Sequence, residues 1–129
     1  MERRTVSGET PAGVLAEFEA ILARLAAADS TFHATARLVF SRDPFGIDAG
    51  APIARTVADA AEAVLGRAPA LVGQTAWTDA AILQAAGIPT VLFGNTGGGW
   101  HSIDEWVEAE SVVQCARVLI ETARQWCGE

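Results

Sequence analysis

Near the C-terminal end of this 129-residue chain, three glycines run into an imidazole and an acidic turn: Gly97-Gly98-Gly99-Trp100-His101-Ser102-Ile103-Asp104-Glu105-Trp106-Val107. Imidazole is the commonest protein ligand for metal ions and the commonest acid–base group at neutral pH. Adjacent glycines let backbone approach a ligand closely and turn N–H groups toward it. Two plainer readings compete for the same residues. The glycines also read as a flexible turn, and Ser102 with Glu105 fits a capping box at a helix start. The box is weakened because apolar helical spacing resumes only at Val112. The loop is neither a P-loop, since no Gly-Lys-Ser/Thr follows, nor a dinucleotide fingerprint, since no sixth-position glycine opens a helix. His33 shares a strand face with Thr35 and Arg37 and reads as exposed or at an interface. Asp79 reads most simply as a first-turn helix charge, and Arg3 and Arg4, taken alone, as solvated charges. No Gly-x-Ser-x-Gly, Cys-x-x-Cys or His-Glu-x-x-His is present, so a serine-hydrolase elbow, a thiol redox centre and a zincin helix are unsupported.

The elements that must position the loop follow from periodicity. Thr10 and Pro11 form a helix start, and Val14, Leu15, Phe18, Ile21, Leu22 and Leu25 predict a helix over about 11–27. Glu2 to Val6 is a possible short strand. Thr31 to Phe40 alternates, with Phe32, Ala34, Ala36, Leu38 and Phe40 on one face, and predicts a strand. Ser41 to Ala51 reads as a linker. Pro52 opens a second helix, with Ile53, Val57, Ala60, Ala61, Val64 and Leu65 inward and Gly66 as the stop. Ala70–Gly73 and Ile88–Phe93 read as strands, the second buried on both faces, with a Thr78-capped helix closed by Gly87 between them. A last helix over about 110–127 carries Val112, Val113, Ala116, Leu119, Ile120 and Ala123 inward. In open α/β sheets ligands collect beyond the carboxyl ends of strands, where Gly94 to Trp100 falls.

Composition narrows the field. Half the residues are apolar, which excludes a disordered chain. All nine basic residues are arginine and the net charge is −7, which argues against a nucleic-acid partner. No apolar run approaches the roughly 20 residues needed to cross a bilayer, so no membrane partner is expected. Cys115 and Cys127 would lie about 18 Å apart along one helix, too far for a disulfide, and read as reduced thiols of a cytoplasmic protein.

Three stretches together carry a family resemblance. Glu2-Arg3-Arg4-Thr5-Val6-Ser7-Gly8-Glu9-Thr10 resembles a D-x-R-x-x-P-G-E strand-turn. Gln74 to Ala81 with Ala86 to Gly94 resembles a T-D-A…A-G-I-P-T-V-x-F-G-P segment, and Gly97 to Val107 is similar to G-x-G-A-H-x-x-x-E-x-V. All three belong to the aminoacylase/carboxypeptidase family of zinc hydrolases, which includes acetylornithine deacetylase, succinyl-diaminopimelate desuccinylase and glutamate carboxypeptidase. The sequence departs from the pattern at Glu2, Ser7, Asn95 and Trp100. A tryptophan at position 100 is expected to narrow the pocket.

The resemblance implies hydrolysis of an amide between an acyl group and an amino acid or peptide, with two zinc ions sharing a bridging water. It implies that His101 is a metal ligand, that Arg4 holds a substrate carboxylate, and that Gly97, Gly98 and Gly99 line the substrate pocket. It gives Asp79 no role. It further implies an α/β fold: half of an α+β lid or dimerisation domain over 1–43, then the C-terminal part of the catalytic α/β layer over 44–129. The other metal ligands and the glutamate base have no counterpart here, so the zinc site is incomplete and the chain alone is expected to be inactive. An alternative is a non-catalytic association module that self-pairs as a homo-oligomer or complements a separate chain, because half a lid leaves a strand edge unpaired.

Overall fold

The computed structural model describes residues 1–128. In chain order its elements are α1 (Pro11–Ala28), α2 (Pro52–Leu65), α3 (Ala80–Ala85), β1 (Gly97–Gly98), β2 (Trp106–Val107) and α4 (Ala109–Cys127). The fold is mixed α/β, as the sequence predicts. By internal contacts the chain divides into two units, Met1–Gly46 with Thr75–Ala81 and Ile47–Gln74 with Ile82–Glu129.

In the first unit, α1 begins where its cap demands. The Thr10 hydroxyl accepts the Gly13 N–H at 3.1 Å, and Pro11 occupies the position where a missing N–H costs nothing. The turn before it is tied by Glu9. Its carboxylate accepts the Val6 N–H at 2.8 Å and pairs with Arg3, while Gly8 supplies the left-handed residue at φ +97°. The Val6 N–H, then Arg3, hold the Glu9 carboxyl below the usual range. At the far end Asp29 accepts both the hydroxyl and the N–H of Thr31, which lower its pKa in that order. The apolar stripe of α1 is only half covered: Val14, Leu15, Phe18 and Leu22 are half-buried, and Ile21 and Leu25 are exposed.

The second unit is built on α2 against α4. Ala54, Val57, Ala60 and Ala61 form the buried face of α2, and their small side chains let the helices approach closely. Ala60, Ala61 and Val118 are the centre of this core, with Val64, Leu65 and Phe93 packed against it. The buried Thr122 hydroxyl donates to the Val118 carbonyl at 2.8 Å, so that hydroxyl is not stranded. Gly66 and Gly128 end the two helices in the left-handed conformation.

Two expectations need correction. The residues read as strands over 2–6, 31–40, 70–73 and 88–93 form no ladder; among the described residues the single sheet is β1 with β2. Alternation selects a face, but a strand also needs a partner's N–H and C=O groups, which these segments do not find. The face of α4 also differs. Ser111, Val118 and Thr122 are buried, whereas Val112, Val113, Leu119 and Ile120 are about half exposed. The narrow alanine face of α2 accepts the small side chains of α4, and the broader apolar stripe is left uncovered.

Candidate functional site

Each unit carries part of what the sequence singles out. In the second unit, β1 and β2 pair antiparallel in the register Gly97↔Val107 and Gly98↔Trp106. A Cβ at position 97 would sit 2.6 Å from the Trp106 carbonyl oxygen, so the close approach of the strands requires glycine there. At position 98 the Trp106 indole lies over the backbone, and a Cβ would meet its Nε1 at 3.0 Å. Gly99 has φ +69°, and a Cβ there would come within 2.8 Å of the Asp104 carbonyl oxygen. The structure therefore gives all three glycines a task within the loop itself.

The loop tip is a small hydrogen-bonded cage. Both the Ser102 N–H and hydroxyl donate to the Gly99 carbonyl, at 2.9 and 2.7 Å, and the Asp104 N–H donates to the Ser102 hydroxyl at 3.3 Å. No helix starts here, so the capping box is not formed; α4 begins at Ala109 with Glu108 as its N-cap. Instead the Glu105 carboxylate reaches one residue further back and accepts the N–H of His101 at 3.3 Å. His101 has φ +63° and an exposed side chain beside the exposed Trp100. The open ends of the loop are tied to α4. The Glu108 N–H donates to the Thr96 carbonyl at 2.9 Å, and the buried Ser111 hydroxyl accepts the Thr96 N–H at 3.0 Å while donating to the Glu108 carbonyl at 2.7 Å.

An imidazole is a good donor for zinc, but a catalytic zinc needs about three protein ligands. Among the described residues no group of three or more His, Cys, Asp or Glu gathers to hold a metal. His101 is the loop's imidazole. His33 lies in the first unit and is exposed, Cys115 is half-buried and Cys127 exposed, both as free thiols. These residues alone do not amount to a zinc site.

The first unit holds Arg3, Arg4 and Arg42. Arg4 donates to the Thr75 carbonyl at 2.6 Å and pairs with Glu2 at 3.0 Å. Two residues beyond Thr75, the Trp77 ring lies 5.6 Å from the Arg42 guanidinium, whose other neighbour is the Phe40 ring at 4.4 Å. The Trp77 indole N–H donates to the Asp43 carbonyl at 3.3 Å, fixing the ring. Thr75 thus meets one guanidinium through its carbonyl and Trp77 a second through its ring. Sequence reasoning missed Arg42; the signal was an arginine flanked two residues away by Phe40, with a tryptophan elsewhere in need of a partner. Asp79 is exposed, one residue ahead of α3.

A family model, peptidase family M20/M25/M40, matches residues 7–125. That is nearly the whole chain, and the protein belongs to this family of peptidases and related hydrolases, whose members are in general metal-dependent. No curated relative and no solved structure matches it.

Proposed function

We propose that these residues are the C-terminal part of a zinc-dependent amidohydrolase acting on N-acyl amino acids or small peptides with a free carboxylate, of the acetylornithine deacetylase, desuccinylase and glutamate carboxypeptidase kind. The observation that carries the reading is His101, presented on an exposed, left-handed loop tip; the motif resemblance over Gly97 to Val107 is what assigns it the ligand role. Zinc, when bound by a full ligand set, lowers the pKa of a water and polarises the scissile carbonyl. The chain contributes one imidazole to that set, and the remaining donors come from outside these residues.

The arginines supply recognition. Arg4 spends one nitrogen on the Thr75 carbonyl and one on Glu2, an exposed pair that a substrate carboxylate can replace at little cost. Arg42, beside the Phe40 and Trp77 rings, is a second planar fork of the kind that takes a carboxylate bidentately. The glycines act here chiefly by shaping the loop that carries His101. Cytoplasmic residence fits two thiols that stand free.

The purified chain, supplied with zinc and a panel of N-acetyl amino acids, is expected to show no turnover. Zinc is expected to bind weakly and through the His101 ring. Turnover that vanishes in His101→Ala overturns the incompetence of the isolated chain; tight zinc binding that survives His101→Ala overturns the ligand assignment.

A second reading, an association module, is favoured by the half-exposed stripe Val112, Leu119 and Ile120 on α4 and by exposed Leu71, Val72 and Ile88. Size-exclusion chromatography with light scattering separates the two: a monomer at every concentration removes self-association.

A further inference from the structure

We infer that Glu105 is a positioning residue for His101: its carboxylate holds the main-chain conformation that aims the imidazole. The inference rests on the reading of His101 as the functional side chain. Among the described residues, His101 is the one non-glycine with positive φ. A residue with a Cβ seldom enters that region unaided, because the Cβ crowds its own backbone carbonyl. Reversal of φ swings the Cα–Cβ bond and carries the ring to another side of the loop, so whatever fixes φ fixes where the imidazole points.

The turn bond and Glu105 share this task, and Glu105 alone supplies a side chain to it. The Ser102 N–H donates to the Gly99 carbonyl at 2.9 Å and closes the turn that contains His101, while the Ser102 hydroxyl ties Gly99 to Asp104; neither bonds the His101 N–H. The β1–β2 pairing and the Trp106 indole fix the stem at 97–98 and 106–107, several residues from the tip. The Glu105 carboxylate accepts the His101 N–H itself, at 3.3 Å, the one side-chain bond to that N–H among the described residues. Its place four residues after the histidine, directly before β2, puts the carboxylate at the foot of the stem, from which it reaches back across the turn. Glu105 is exposed, so its replacement leaves the α2–α4 core intact.

The test uses the isotope-labelled full chain by NMR, without metal, in wild type, Glu105→Ala, Glu105→Gln and Ser102→Ala. Glu105→Ala is expected to speed exchange of the His101 amide by about threefold, the scale of one modest hydrogen bond, and to move its N–H to Hα coupling off the left-handed value. Glu105→Gln, whose side-chain carbonyl can still accept, restores most of both. Ser102→Ala disturbs Gly99 and Asp104 and leaves the His101 coupling in place. An unchanged His101 amide in Glu105→Ala, no rescue by glutamine, or an equal effect from Ser102→Ala overturns the inference. Failure of the metal reading looks different: the His101 ring signals of wild type stay unmoved by zinc while the backbone series behaves as expected.

Discussion

The sharpest test of the packing concerns two adjacent residues on α4. Val118 is fully buried against α2, whereas its neighbour Leu119 is 51% exposed. Val118→Ala removes two carbons from a dry interior, worth about 1.6 kcal/mol of transfer free energy. The unfilled space adds about 1 kcal/mol if the helices do not close up, and alanine returns about 0.5 kcal/mol in helix propensity. The net loss is about 2 kcal/mol. Leu119→Ala removes three carbons, but half their surface already faces water and no cavity forms, so its cost is about 1 kcal/mol. The smaller deletion should therefore do the greater harm. Urea unfolding of both variants, followed by far-ultraviolet circular dichroism, measures the order. A Leu119→Ala loss exceeding that of Val118→Ala would show that the apolar stripe faces inward and that the α2–α4 contact is wrongly described.

Three further outcomes follow from features of the two units. Thr10→Ala deprives the Gly13 N–H of its acceptor and should cost α1 about 1 kcal/mol, read as a lower unfolding midpoint. Gly97→Ala drives a Cβ against the Trp106 carbonyl and should open the hairpin, whereas Gly98→Ala meets an indole that can swing aside; the larger loss of loop amide protection belongs to Gly97→Ala. Glu9 has its carboxyl pKa lowered in the folded state, first by the Val6 N–H and then by Arg3. Its contribution is complete above the unfolded value of about 4.3 and is lost as pH falls through the lower folded value. Glu9→Gln should remove that part of the acid dependence; an unchanged stability–pH curve below pH 5 would refute the assignment.

The helices were legible because their ends are written in local chemistry. Thr10-Pro11, Pro52 with Gly66, and the periodicity before Cys127 place α1, α2 and α4 within a residue or two of where they lie. The strands were not, since alternation over 31–40 or apolarity over 88–93 says nothing about which chain edge will pair. The face of α4 was misread because periodicity finds the largest apolar stripe, while close contact with an alanine face favours Ser111, Val118 and Thr122. At the site, the loop and its histidine could be read from residue types. Three things depend on contacts the sequence does not display: the self-contained roles of Gly97, Gly98 and Gly99, the reach of Glu105, and the aromatic grip on Arg42.

Ser111 sits at the crossing of two structures: one hydroxyl takes the Thr96 N–H from the near end of the loop and gives its proton to the Glu108 carbonyl at the far end. Fraying of the first turn of α4 and opening of the histidine loop are in consequence a single event. A change at position 111 is therefore felt in the loop and in the helix at once.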